Sequence, residues 1–255
     1  MPRLRLAAAT AAVCLALVGC SGSADPVASD EPSTPATSAA PEPTASEAPA
    51  ESVAECTDVL LDPASTVAGD ALGGCVAAAM VAVGTGTQRV DSSDGQSTVV
   101  DFQWDPDFSM HAASDDIGIV IDGDRGWALV DGAWVEGDAG SSDGATAMAG
   151  ILVEATRAAS DPATIAGLLS TSPTWTVQDQ QAVPVGDSVA ESAWLLTPDA
   201  PMSMLGVTLT DVQLWLTDAH LGAYFVGTGS VSGVTVTTSN TFLQWGGPVD
   251  IPQLG

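Results

Sequence analysis

Leu17-Val18-Gly19-Cys20 closes an apolar run that begins after Arg3 and Arg5, and it divides the chain into a part that can fold and a part that cannot. Residues 1–19 have the layout of a signal peptide, with a basic start and an apolar core from Leu6 to Val18. That core is about 13 residues long, short of the ~20 that a spanning helix needs. No later segment is long and uninterrupted enough to span either. Small residues before a cysteine form a lipobox, which makes Cys20 the acylated first residue of the mature protein. An ordinary secretory leader with an incidental cysteine is the alternative. The Pro/Ser/Thr/Ala-rich stretch that follows at once favours the anchor. Two or more acyl chains, at roughly 0.8 kcal/mol per buried methylene, hold a protein stably on a bilayer. The expectation is a palmitate-type lipid anchor on the extracytoplasmic face of a cell membrane.

Residues 20–52 are the expected tether. After Cys20 they are almost entirely Ser, Ala, Pro, Thr, Glu and Asp, and they cannot bury enough apolar surface to fold. Proline and like charge extend such a chain, and about 32 residues at ~3.3 Å each reach on the order of 100 Å. The same composition permits glycosylation.

The chain has no lysine. Its five basic residues are all arginine, two of them in the leader, against 32 acidic residues that all follow Cys20. Binding to nucleic acid through phosphates needs Lys and Arg, so that class of partner is excluded. Anionic headgroups and wall polymers are repelled as well. General solubility or a salty habitat accounts for such acidity equally well. Much Ala and Gly without lysine fits a GC-rich genome.

Of the four cysteines, Cys14 lies in the leader core and Cys20 is the anchor. Cys56 and Cys75 remain, an even pair in an oxidising compartment, and are expected to form one disulfide. A loop of this size contributes roughly 3 kcal/mol in the chain-entropy picture. A redox or metal pair is the alternative, and neither a CxxC spacing nor a neighbouring histidine supports it.

Residues 53–255 are long enough for one sizeable core. Val76, Ala79, Met80 and Val83 recur at helical spacing, with Gly73 and Gly74 as weak points and Gly84-Thr85-Gly86 as the stop. The period then changes to two. Val100, Phe102 and Trp104 alternate with polar residues, Ile117, Ile119 and Ile121 share a face, and the stretch from Trp127 to Val135 turns at Asp131-Gly132, which together predict an antiparallel meander. Met148, Ile151, Leu152 and Ala155 predict a second helix. Asp161 as cap and Pro162 at the first position start a third, with Ile165, Leu168 and Leu169 on its apolar face. Strands are predicted again near 174–180, 189–196, 208–216, 223–228 and 234–243. The expected fold is α+β, a strongly curved antiparallel sheet wrapped over helices.

With these elements placed, the chain resembles LolA-like lipoproteins of the LppX/LprG type found in actinobacteria. The resemblance rests on the meander from Gly118 to Gly137, on the helical insert after it, and on Leu214-Trp-Leu-Thr-Asp218 with the closing Phe242-Leu-Gln-Trp-Gly-Gly-Pro-Val-Asp-Ile-Pro252. It spans about residues 64–252. It implies an open half-barrel over helices that encloses an apolar cavity for lipid or lipoglycan acyl chains, with no catalytic residues. The acidity and the Cys56/Cys75 pair depart from the pattern, and the acidity sits poorly with an anionic glycolipid.

The candidate cavity-lining residues are Phe102, Trp104, Ile117, Ile119, Trp127, Leu129, Met148, Ile151, Leu152, Leu168, Leu169, Leu214 and Leu216, with the insert near 143–170 as a lid. A filled core uses the same residue types. Trp215 points away from Leu214, towards the opposite face. The seven tryptophans suit a packed core, a lipid-lined cavity or sugar stacking. His111 and His220 read as surface residues. The pairs Asp105/Asp107, Asp115/Asp116 and Asp122/Asp124 read as turn residues, with calcium binding or acid catalysis as alternatives. No Gly-x-Ser-x-Gly elbow precedes a helix, and the residues suggest no cofactor or metal. The expected function is non-catalytic lipid binding or carriage. The alternative is a tethered adaptor that docks an envelope protein partner, and a hydrolase is the most remote reading.

Changing Cys20→Ser should move the protein from the detergent-extracted membrane fraction to the soluble fraction, with loss of incorporated radiolabelled palmitate. Retention in the membrane fraction would overturn the anchor assignment.

Overall fold

The computed structural model describes residues 53–105, 107–114, 118–204, 207–231 and 233–254. The expected leader, Cys20, the expected tether, Ile117 and the Asp115/Asp116 pair lie outside them.

A 3-10 turn at Ala54–Cys56 leads to strand β1 (Thr66–Ala68) and helix α1 (Gly69–Val83). The first meander follows as β2 (Thr85–Ser92), β3 (Ser97–Gln103), β4 (Ser109–Ala113), β5 (Gly118–Asp122), β6 (Arg125–Val130) and β7 (Ala133–Glu136). Helices α2 (Gly144–Ser160) and α3 (Pro162–Ser170) form the insert. The chain ends in β8 (Thr174–Ala182), β9 (Ser192–Pro198), β10 (Met202–Met204), β11 (Val207–Leu216), β12 (Gly222–Val231) and β13 (Val234–Trp245).

The strands make one 13-stranded antiparallel sheet in the order β1-β8-β9-β11-β12-β13-β2-β3-β4-β5-β6-β7, with β10 beside β11. The last strand therefore closes against β2, and β1 and β7 stay unpaired with each other at the two ends, so the sheet is open. Register shifts within β8, β11 and β13 insert extra residues that bend their strands. Asp131 and Gly132 both have positive φ, 50° and 78°, as a two-residue hairpin turn between β6 and β7 requires.

Helices cover one face, called the inner face here. Helices α1 and α3 lie over β8, β9 and β11, where Leu72, Val76, Met80 and Leu169 pack with Trp175, Leu196, Leu214 and Leu216. Helix α2 lies over β3–β6, where Ala149 and Val153 pack with Val100, Phe102, Met110, Ile119, Ile121 and Ala128. The Asp161 cap follows the sequence reading, and Asp143 supplies a second cap that the sequence reading did not name. Asp161 accepts from the Ala163 N–H at 3.1 Å, and Asp143 accepts from the Thr146 N–H at 3.0 Å.

Strands β1, β4 and β10 lie in stretches for which the sequence predicts no strand, and two further departures have a clear physical reason. The segment 85–92, predicted as no strand, is β2 at the centre of the sheet. Its inner-facing positions carry little apolar bulk, because the Phe102 ring already occupies the space over Gly86. Helix α1 runs unbroken through Gly73-Gly74. Gly73 is a contact point: a Cβ there would lie 2.4 Å from the Ala166 carbonyl oxygen of α3, while a Cβ at Gly74 meets nothing within 4 Å.

The two glycines should respond with opposite signs. Gly73→Ala forces α3 outward and should cost about 1–3 kcal/mol in urea unfolding. Gly74→Ala should stabilise by up to about 1 kcal/mol through helix propensity. Equal effects would contradict the packing described.

Candidate functional site

The inner face gathers most of the predicted cavity residues, but into two packed bodies. Phe102 and Ile119 are buried under α2. Leu169, Leu214 and Leu216 are buried under α1 and α3, with Leu168 half-buried at the edge. Trp104 touches both bodies.

Rings occupy the seam between them. Phe102 and Trp104 have centroids 4.4 Å apart, Phe242 and Trp245 4.8 Å, Phe102 and Trp245 5.6 Å, and Trp104 and Trp245 6.3 Å. Both indole N–H groups in the seam have a partner. Trp104 donates to the Ser160 carbonyl at the end of α2 (3.2 Å), and Trp245 donates to the Gly222 carbonyl (2.7 Å). Two glycines make room. A Cβ at Gly86 would lie 2.6 Å from the Phe102 ring, and one at Gly222 would lie 2.5 Å from the Phe242 ring.

Trp127 and Leu129 do not belong to this face. Ile119 pairs with Ala128 and Val120 with Trp127, and Ala128 joins the core under α2, so strand alternation puts Trp127 and Leu129 on the outer face. There the Arg125 guanidinium lies 4.6 Å above the Trp127 ring, and Trp134 pairs with Leu129. Trp-Ala-Leu-Val is apolar throughout, so alternation alone cannot tell which set faces the helices.

Met148 and Ile151 also depart from expectation. The buried face of α2 is Ala149, Gly150 and Val153, whereas Met148 and Ile151 are 53% and 43% exposed. Leu152 is half-buried and packs against the core beneath α2. The helix lies too close to its support for large side chains. A Cβ at Gly150 would sit 2.1 Å from the Ala139 nitrogen, and one at Gly126 would sit 2.2 Å from Val153. The apolar stripe is therefore turned outward, with one edge on the core.

The outer face of β9, β11 and β12 has a core of its own. Trp215, Tyr224, Leu195 and Ala193 pack beneath Val183, Val185, Val189 and Ala190 of the β8–β9 connection, with the Trp215 and Tyr224 rings 5.3 Å apart. Trp215 does point away from Leu214, as alternation predicts. Residues 183–191 act as a strap, which is why β9 begins at Ser192 and not near 189. Val189 N–H donates to the Phe242 carbonyl and the Ser188 hydroxyl to the Ala223 carbonyl, both at 2.9 Å. Arg89 on β2 grips Asp187 through both terminal nitrogens, with Nη2 to Oδ1 at 3.1 Å. No local pattern in the sequence marks these two residues as partners.

Cys56 and Cys75 form the expected disulfide, joining the first turn to α1. His220, expected at the surface, is half-buried in the β11–β12 turn, and its Nε2–H donates to the Val59 carbonyl at 2.9 Å. Among the described residues the best-formed clefts are open and modest. One of about 280 Å³ is lined by Gln103, Asp107, Ser109, Asp122, Val249, Ile251 and Gln253, and one of about 250 Å³ by residues 198–201 and 209–212. The described acidic pairs converge on no cluster of three metal-ligating carboxylates. No described helix is long and apolar enough to cross a membrane.

These features define a class: an open antiparallel α+β sheet with helices on one face and a strap on part of the other. Among solved structures, the crystal structure of lipoprotein LppX from Mycobacterium tuberculosis is similar at 15% identity and a TM-score of 0.41, over 72% of this chain and 98% of that one. Likeness at this level concerns layout and assigns no role to any residue. No protein-family model matches the chain, and no curated protein matches it.

The hydrogen bond from Arg89 holds the Asp187 carboxyl below the usual carboxylate range. A lowered carboxylate stabilises the pinned strap above its unfolded pKa and loses that effect as pH falls through the folded value. At neutral pH, Asp187→Asn should speed amide exchange over residues 183–191 relative to the parent, and the difference should vanish in acid. Identical exchange at neutral pH would show that the ion pair does not hold the strap.

Proposed function

We propose that the chain is a non-catalytic envelope lipoprotein, held by acylated Cys20 at the extracytoplasmic membrane face, that binds the acyl chain of a lipid or lipoglycan along α2. The observation that carries this reading is the exposure of Met148 and Ile151 on a helix whose other face is sealed to the sheet. Solvated apolar stripes of this kind mark contact sites. Leu152 leads from the stripe to the core that holds Phe102 and that Trp104 borders. An acyl chain lying there would be covered on one side, with its polar head in water, and each buried methylene would contribute roughly 0.8 kcal/mol.

A second reading, a tethered adaptor for an envelope protein, is favoured by a different observation. The seam of rings fills the inner face where a carrier needs space, and on the outer face the edge strand β7 exposes Trp134 by 40%, beside Leu129 of β6. An edge strand with adjacent apolar side chains suits strand addition by a partner.

Native mass spectrometry of the mature protein before and after organic extraction separates the two. The first reading expects a non-covalent lipid that disappears on extraction, and uptake of a fluorescent acyl probe that weakens at least tenfold in the Met148→Glu, Ile151→Glu double variant. A protein without bound lipid that also fails to take up the probe would remove the lipid reading and leave the adaptor.

A further inference from the structure

The disulfide has a third group beside it. The turn between β11 and β12 brings His220 to Cys56 and Cys75, and one ligand atom from each of the three residues lies within 4.8 Å of the other two. His220 is far from both cysteines in the chain, so no local spacing announces the group. Both cysteines are buried and His220 is half-buried.

The histidine is held in place twice. Its backbone is in the left-handed region, with φ of 60°, and its N–H donates to the Thr217 carbonyl at 2.9 Å. Its ring donates from Nε2 to the Val59 carbonyl. A carbonyl only accepts, so Nε2 carries a proton, which leaves Nδ1 as the nitrogen that can act as a ligand. A ring fixed through one nitrogen by a backbone carbonyl, with the other free, is how metal-ligating histidines are oriented.

We propose that the reduced pair Cys56/Cys75, together with His220, is a three-ligand site for a thiophilic divalent cation of the zinc type. Bonds of about 2.3 Å to sulfur and about 2.0 Å to nitrogen at tetrahedral angles separate ligand atoms by roughly 3.3–3.8 Å. That separation lies within the span these groups already cover once the sulfurs part. The fourth position falls to water from the half-exposed histidine side. Two thiolates and one divalent cation sum to zero charge, which suits a buried place better than bare thiolates do. The acidic surface raises the local cation concentration.

The site is gated by redox state. A dithiol reductant gives two electrons and two protons to the S–S bond, which becomes two thiols while the reductant becomes a disulfide. The cation then replaces the two thiol protons, which go to solvent. In the oxidised form no thiolate exists and the site is closed.

The test uses the full chain carrying Cys14→Ser and Cys20→Ser, so that Cys56 and Cys75 are the only thiols. After reduction with a phosphine it is titrated with Co²⁺ and then with Zn²⁺. The expected result is one equivalent of Co²⁺ with a thiolate-to-cobalt charge-transfer band, displaced by Zn²⁺, a melting temperature raised by Zn²⁺ only in the reduced form, and no band in the oxidised form. His220→Asn, which tolerates the left-handed backbone, should weaken Co²⁺ binding at least tenfold. A folded reduced protein without the band overturns the proposal. So does undiminished binding in the His220→Asn variant, and so does a reduced protein that is unfolded and not restored by Zn²⁺.

Discussion

The packing of four aromatic rings across the β13–β2 junction is the contact on which the rest of the structure depends. The sheet is assembled from two stretches of chain, and the pairing of Thr238–Trp245 with Gly86–Ser92 is what joins them into one. Each stretch carries its own helices and its own core. Phe102, Trp104, Phe242 and Trp245 sit where the two cores meet, and each large ring contributes 150–250 Å² of buried surface, by typical values. Gly86 and Gly222 are required because any Cβ there would occupy ring positions. A ligand on the inner face must therefore bind beside this cluster or part it.

Much of the fold was legible in the sequence because apolar periodicity reports directly on half-buried strands and one-sided helices. The Asp131-Gly132 turn, the Asp161-Pro162 helix start, the outward Trp215 and the disulfide all follow from local chemistry. What was illegible depended on distant partners. Strand β2 hid because its neighbour's ring replaces its own side chains. Trp127 and Leu129 fell on the wrong face because a strand buried on both sides has no phase. Met148 and Ile151 turned outward because Ala149 and Gly150 allow a closer approach than the larger stripe does. His220 came to the disulfide from 145 positions beyond Cys75, a distance over which sequence spacing carries no information.

Arg89, Arg125 and Arg157 each pin a separate piece of chain. Arg89 holds the strap through Asp187. Arg125 pairs with Glu136 across the β6–β7 hairpin and covers the Trp127 ring. Arg157 donates to the Gly123 carbonyl at 2.7 Å, tying the last turns of α2 to the β5–β6 turn. Exposed ion pairs contribute little one at a time. In a chain with 32 Asp and Glu residues, the three described arginines sit at these joints.

The Cys56–Cys75 bond also has a mechanical consequence. It lies just inside the first described residue, Val53, and reaches the middle of α1. A pull arriving from the N-terminal side passes through two sulfurs into a helix wedged against α3, and the eighteen residues between the cysteines, β1 among them, are bypassed by the load. Tension that would otherwise unzip a three-residue edge strand is delivered as shear to a packed helix pair. A pull on the chain ahead of Val53 therefore reaches the folded domain without fraying it from its end.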